Sequence, residues 1–68
     1  MKKWYGDNKC NFCGKECTPY LYDGATIIGP WAVMCEDCFN KYGTGIGMGM
    51  GQEYRKNEKT GDYEKING

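Results

Sequence analysis

The chain contains no histidine. That removes the commonest general base and the nitrogen ligand on which open, catalytic zinc sites usually depend. Aliphatic residues are also scarce. Mean hydropathy is −0.78, and much of the apolar content is aromatic: six Tyr, two Trp and two Phe. No apolar run approaches the ~18 residues that a transmembrane helix needs. The opening stretch Met1-Lys2-Lys3-Trp4-Tyr5-Gly6-Asp7 is basic but lacks the apolar segment of a secretion signal. A reducing, cytoplasmic setting is the expectation, and there cysteine pairs serve as metal ligands more often than as disulfides. An excess of one charge is missing as well. Nine Lys plus Arg balance nine Asp plus Glu, with five of each in residues 1–43 and four of each in 44–68. A protein that coats nucleic acid needs a basic face, so balanced charge argues against that class.

Cysteine is what the chain has in plenty: five in 68 residues. Four form two Cys-x-x-Cys pairs, Cys10 with Cys13 and Cys35 with Cys38, separated by 21 residues. Two thiolates two positions apart grip one metal ion from a single tight turn, and two such grips close a tetrahedral sulfur site. The expected cofactor is one structural Zn²⁺ held by Cys10, Cys13, Cys35 and Cys38. Iron in a rubredoxin-like site is the alternative for the same ligand set. Four thiolates around one divalent ion would leave the loaded domain mildly acidic. A domain this small has a marginal core, and a metal staple compensates for it. Cys17 stands outside the pairs. It reads as a small buried apolar residue, against the alternatives of a spare ligand, a reactive thiol or an intermolecular disulfide partner.

The first knuckle reads Lys9-Cys10-Asn11-Phe12-Cys13-Gly14-Lys15. Glycine after the second cysteine accepts the positive φ that turns backbone N–H groups toward sulfur. Beyond it, Pro19-Tyr20-Leu21-Tyr22 is β-prone, Asp23-Gly24 signals a two-residue turn, and Ala25-Thr26-Ile27-Ile28 returns as a second strand. Gly29-Pro30 breaks the pattern. Trp31-Ala32-Val33-Met34 then runs extended, with Trp31 and Val33 sharing a face directed at a small core or a partner. Glu36 and Asp37 suit the start of a helix and Gly43 its stop, while Phe39 and Tyr42 lie three apart and face the core.

In Gly43-Thr44-Gly45-Ile46-Gly47-Met48-Gly49-Met50-Gly51-Gln52, every second residue is glycine. The stretch lacks the Gly-Lys-Ser/Thr ending of a phosphate-binding loop and follows a helix instead of preceding one. Two readings remain. It is a strand laid with its bare side over an aromatic face, or an adaptable contact surface in which Met48 and Met50 provide soft apolar contacts. The tail from Glu53 to Ile66 reads as a hairpin with Tyr54 and Tyr63 paired across a turn near Asn57–Gly61, with a flexible tail as the alternative. The domain organisation read here is a finger over 1–52, including the glycine repeat, and a hairpin or tail over 53–68.

The knuckle Cys10-Asn11-Phe12-Cys13-Gly14-Lys15 with Cys35-Glu36-Asp37-Cys38 resembles treble-clef and zinc-ribbon fingers. The zinc-binding domain of ClpX chaperones is similar in its order of cysteine pairs and downstream helix, with a spacer of different length. That domain binds protein partners and dimerises. The longer pattern from Cys10 to Tyr54, including Gly29-Pro30-Trp31-Ala32-Val33-Met34-Cys35 and Gly51-Gln52-Glu53-Tyr54, resembles small zinc-finger proteins of phages and bacteria. The implied fold is a small metal-stapled α+β treble clef, with a zinc ribbon as the alternative: a β-hairpin, one short helix and a C-terminal hairpin. No activity follows from that resemblance; the function read from the residues is a non-catalytic module that binds a protein partner as an adaptor or inhibitor, in the host cytoplasm if phage-encoded. Its contact surface would use Trp31, Ile46, Met48, Met50 and Tyr54. The alternative is a nucleic-acid-binding finger using Lys2, Lys3, Lys9 and Lys15 with Trp4 and Phe12. Tyr5, Tyr20 and Tyr22 are further aromatics that could stack on bases, or serve as core. No membrane and no small-molecule substrate is expected.

Overall fold

Short strands carrying Tyr20, Tyr22, Trp31, Tyr54 and Tyr63 alternate with glycine-marked turns, and the segment that opens on Glu36 and Asp37 forms a helix. The computed structural model describes Lys3, Trp4 and residues 6–68. Met1, Lys2 and Tyr5 lie outside the described residues, and with them part of the basic N-terminal cluster. The elements in chain order are β1 (Lys3–Trp4), β2 (Tyr20–Ala25), β3 (Trp31–Met34), α1 (Glu36–Tyr42), β4 (Gly51–Lys56) and β5 (Tyr63–Asn67). All five strands join one antiparallel sheet in the order β1-β5-β4-β2-β3.

The sheet buries residues on both faces. On one face, Tyr22, Ala32 and Met34 lie beneath α1, whose Phe39 ring stacks on Tyr22 at 4.2 Å. On the other, Leu21 is paired with Tyr54, and Tyr63 with both Lys56 and Trp4. The rings of Trp4 and Tyr54 meet there at 5.6 Å. The Tyr63 hydroxyl donates to the Cys17 carbonyl, tying this face to the segment after the knuckle. Leu21, Met34 and Cys17 are the largest fully buried side chains. Removing a Leu or Met side chain from water contributes about 1.5–3 kcal/mol.

Several expectations move by a register or a phase. Asp23-Gly24 is not a turn; β2 runs straight through it. The turn lies at 26–30, where Thr26 Oγ1 donates to the Pro30 carbonyl at 2.7 Å and Gly29 takes φ 118°. Ile27 and Ile28 therefore sit in a turn, exposed, not in a strand. Asp23 is held in the strand because its carboxylate accepts the Trp31 indole N–H at 2.7 Å. Gly24 is needed for close approach: a Cβ there would lie 2.7 Å from the Met50 carbonyl oxygen and 2.9 Å from Gly51 Cα. Period two holds along β3, and of the two alternatives for the Trp31 face, core or partner, the core is not the one realised. Ala32 and Met34 are buried, while Trp31 is 52% exposed.

The glycine repeat is not an extended strand over an aromatic face. Gly45, Gly47 and Gly49 all have positive φ. Gly47 and Gly51 exchange backbone bonds in both directions, at 2.9 and 3.0 Å, closing a loop that carries Met48 at its tip. The bare backbone is covered by other backbone, through Gly24 against Gly51. The C-terminal hairpin forms, but with Tyr54 opposite Lys65 and Tyr63 opposite Lys56, because the turn closes with the Asn57 N–H on the Asp62 carbonyl at 2.7 Å and sets that register. Tyr54 and Tyr63 are neighbours on a buried face, not a cross-strand pair. β4 passes through position 52 and pairs with both β2 and β5, placing this hairpin inside the common sheet.

Candidate metal centre

The four paired cysteines converge. Cys10 and Cys13 come from the knuckle, Cys35 caps α1 with extended backbone (φ −74°, ψ 170°), and Cys38 lies in the first turn of that helix. Their sulfurs all lie within 4.8 Å of one another. Cys13 Sγ and Cys35 Sγ are 3.7 Å apart. Four Zn–S bonds of about 2.3 Å in a tetrahedron place neighbouring sulfurs roughly 3.8 Å apart. The separation is far longer than a disulfide, which needs about 2.05 Å. The sulfurs are thus disposed as ligands of one ion.

Local chemistry builds each grip. In the knuckle, Gly14 takes φ 76° and its N–H donates to the Cys10 carbonyl at 3.0 Å. The Phe12 N–H donates to Cys10 Sγ at 3.4 Å. The flanking chain pairs as a small hairpin, with the Cys10 N–H on the Lys15 carbonyl and the Cys17 N–H on the Asn8 carbonyl, each at 2.8 Å. At the second grip, the Phe39 N–H bonds the Cys35 carbonyl at 2.8 Å, starting the helix so that Cys38 turns back beside Cys35.

Two contacts besides the sulfurs bring the grips together, and sequence reading missed both. Asn11 N–H donates to the Val33 carbonyl, and the Val33 N–H donates to Asn11 Oδ1, both at 2.8 Å. This clasp fastens the knuckle to the outer edge of β3, two residues before Cys35. Phe12 also stacks on Tyr42 of α1 at 4.6 Å. No local signal reveals these pairings, since their partners lie 22 and 30 positions away.

The electrostatics suit a cation. Burial opposes ionisation of Cys10, but N–H groups of Cys13, Cys35 and Phe12 together outweigh it and bring the thiol down to about 6. Burial pushes Cys35 and Cys38 up, and for Cys38 the neighbouring Cys10 and Cys35 add to the effect. So crowded a set of sulfurs ionises fully only around a positive ion. Cys17 stands apart from the ligand cluster: it is fully buried, and burial followed by the nearby thiolates pushes it up to about 12.

The residues expected to contact a partner divide. Trp31 is 52% exposed, Met48 fully exposed and Met50 41% exposed. Ile46 is partly buried against the core. Tyr54 is buried at 4% exposure, with its hydroxyl donating to Gln52 Oε1, so it belongs to the core and offers little area to a partner. Ile27 and Ile28, which sequence reading placed in a strand, join the exposed apolar set. Among the described residues, no helix is long and apolar enough to cross a membrane.

Compared with known proteins, the chain matches no protein-family model, no curated protein and no solved structure. Its chemistry is therefore read from its own geometry: a small α+β domain with a four-cysteine cluster at metal-binding distance, consistent with a zinc site.

Proposed function

We propose that this chain is a non-catalytic zinc-binding module that presents an apolar end to a protein partner, as an adaptor or inhibitor. The order of knuckle, β2–β3 hairpin and ligand-bearing helix supports a treble clef over a zinc ribbon, which would carry its second pair on another knuckle. Four thiolates fill a tetrahedral ion and leave no position for a reacting water, which supports a structural role for the metal.

The observation that carries the partner reading is an apolar end, bordered by the Asp23 carboxylate that accepts the Trp31 indole N–H. Residues 24–34 and 43–52 contain no charged side chain. The fold lays these segments side by side. The Ala25 N–H bonds the Met50 carbonyl at 2.8 Å, and the Thr44 N–H bonds the Ala25 carbonyl at 3.3 Å. Ile27, Ile28, Trp31, Met48 and Met50 all expose large apolar side chains from these segments. Exposed apolar clusters on small domains mark contact sites, and methionines on a glycine-rich loop adapt to a partner's shape.

The nucleic-acid reading has less support. Lys3 is engaged with Asp62 at 3.1 Å, Trp4 packs on Tyr54, and Phe12 packs on Tyr42. The test is capture from host lysate by zinc-loaded protein and by an Ile28→Asp/Met48→Asp variant, with and without nuclease. The proposal expects one dominant protein, nuclease-resistant and lost in the variant. Capture abolished by nuclease and kept by the variant would transfer the function to nucleic acid.

A further inference from the structure

The four cysteines are not equally sheltered. Cys10 and Cys38 are buried, at 3% and 7% exposure, whereas Cys13 is exposed and Cys35 half-buried. The two accessible sulfurs belong to different pairs and lie 3.7 Å apart. Closing that gap to the ~2.05 Å of a disulfide requires a movement of under about 2 Å. Cys13 is exposed on the knuckle turn, next to Gly14 with its positive φ.

From this arrangement we infer an oxidative modification site: hydrogen peroxide converts Cys13 and Cys35 into a disulfide that bridges the knuckle to the start of α1 and expels the metal. The inference rests on the zinc reading above and adds a regulatory chemistry to the same site. The Cys13 thiolate attacks the peroxide; an S–O bond forms, the O–O bond breaks and hydroxide leaves. The Cys35 thiolate then attacks Cys13 Sγ; the S–S bond forms, the S–O bond breaks and a second hydroxide leaves. Two thiolates lose two electrons, and one peroxide is reduced to two hydroxides. With two of four donors gone, the remaining Cys10 and Cys38 cannot hold the ion tightly. The same two segments stay joined, now by sulfur–sulfur instead of sulfur–metal bonds. Cys17 takes no part, because it is fully buried.

The test uses the zinc-loaded full chain. Hydrogen peroxide is added, zinc release is followed with a chromophoric chelator, and disulfides are mapped by mass spectrometry. Cleavage after Lys15 separates Cys10 and Cys13 from the other cysteines, cleavage after Glu36 separates Cys35 from Cys38, and fragmentation distinguishes Cys10 from Cys13 and Cys17 from Cys35. The expected result is loss of one zinc per chain together with one Cys13–Cys35 cross-link, unchanged in a Cys17→Ala variant. A dominant link within either Cys-x-x-Cys pair, a link through Cys17, or zinc release without any disulfide would overturn it. Zinc content before peroxide tests the metal reading separately: untreated protein that binds no zinc defeats that reading, and zinc-loaded protein giving another linkage defeats only this one.

Discussion

Substituting Asn11 tests whether the clasp on β3 helps to assemble the metal centre. Asn11→Ala keeps the backbone bond from position 11 to the Val33 carbonyl and removes the side-chain acceptor of the Val33 N–H, a 2.8 Å bond. One such hydrogen bond contributes about 0.5–1.5 kcal/mol net. Val33 is half-buried, so water partly replaces the lost acceptor, and a cost of about 1 kcal/mol is reasonable. Folding and metal binding form one equilibrium in a domain of this type, so the cost appears in zinc affinity. At 1.4 kcal/mol per tenfold, the loss is about fivefold, extending toward tenfold or more if the clasp also orients the ligands. The assay is competition with a chromophoric chelator at neutral pH. Lys15→Ala is the control, since it alters an exposed knuckle side chain and keeps the Lys15 carbonyl that pairs with Cys10. Equal zinc affinities for Asn11→Ala and Lys15→Ala would refute the argument.

Other perturbations probe the staple, the sheet and the buried tyrosines. Cys10→Ser and Cys38→Ser should lose stoichiometric zinc and the folded circular-dichroism spectrum, whereas Cys17→Ala should retain one zinc per chain; zinc loss in that variant would mean the ligand set is wrong. Gly24→Ala drives a methyl into the backbone of Met50 and Gly51 and should cost about 1–3 kcal/mol. A melting temperature within about 2 °C of the parent would show that β2 and β4 do not approach so closely, because each kcal/mol shifts a domain of this size by about 4–8 °C. Burial raises the Tyr22, Tyr54 and Tyr63 hydroxyls above the ordinary tyrosine value, with Glu53 adding to the effect at Tyr22. The folded state therefore holds these protons more tightly than the unfolded chain. Their contribution to stability is complete below about pH 10 and falls as pH rises toward the folded values. Denaturant titrations of the zinc-loaded protein between pH 8 and 11 should show this decline, and a flat profile would contradict the burial of these rings.

The ligand set and the helix were legible in the sequence because their signals are local. Cys-x-x-Cys followed by Gly14 fixes a turn within six residues, and α1 is bounded by the acidic Glu36 and Asp37 in its first turn, which suit the helix dipole, and by Gly43 at its end, where a side chain would meet Phe39. The strand-forming character of β2, β3 and the C-terminal hairpin was equally readable from Tyr, Val and Trp content. Register was not. Asp23-Gly24 has the composition of a turn, yet β2 continues through it because Trp31 bonds Asp23 and Gly24 meets Gly51. Both partners are remote in sequence, and no local propensity encodes them. The phase of β3 was decided in the same way. Trp31 and Val33 are the larger pair by alternation, but α1 and the metal ligands draw Ala32 and Met34 inward.

The glycine repeat shows the same division. Its composition established that the backbone could turn freely; the tertiary structure decided that it closes on itself at Gly47 and Gly51 and leaves Met48 in solvent. The sequence alone determined that four thiolates would be available in two short grips, since two-residue spacing is a property of the chain itself. Only the folded sheet brings those grips within 4.8 Å, through the Asn11–Val33 clasp and the Phe12–Tyr42 stack. Only it shelters Cys10 and Cys38 while leaving Cys13 and Cys35 open, because burial depends on what packs against a residue and not on its neighbours in sequence.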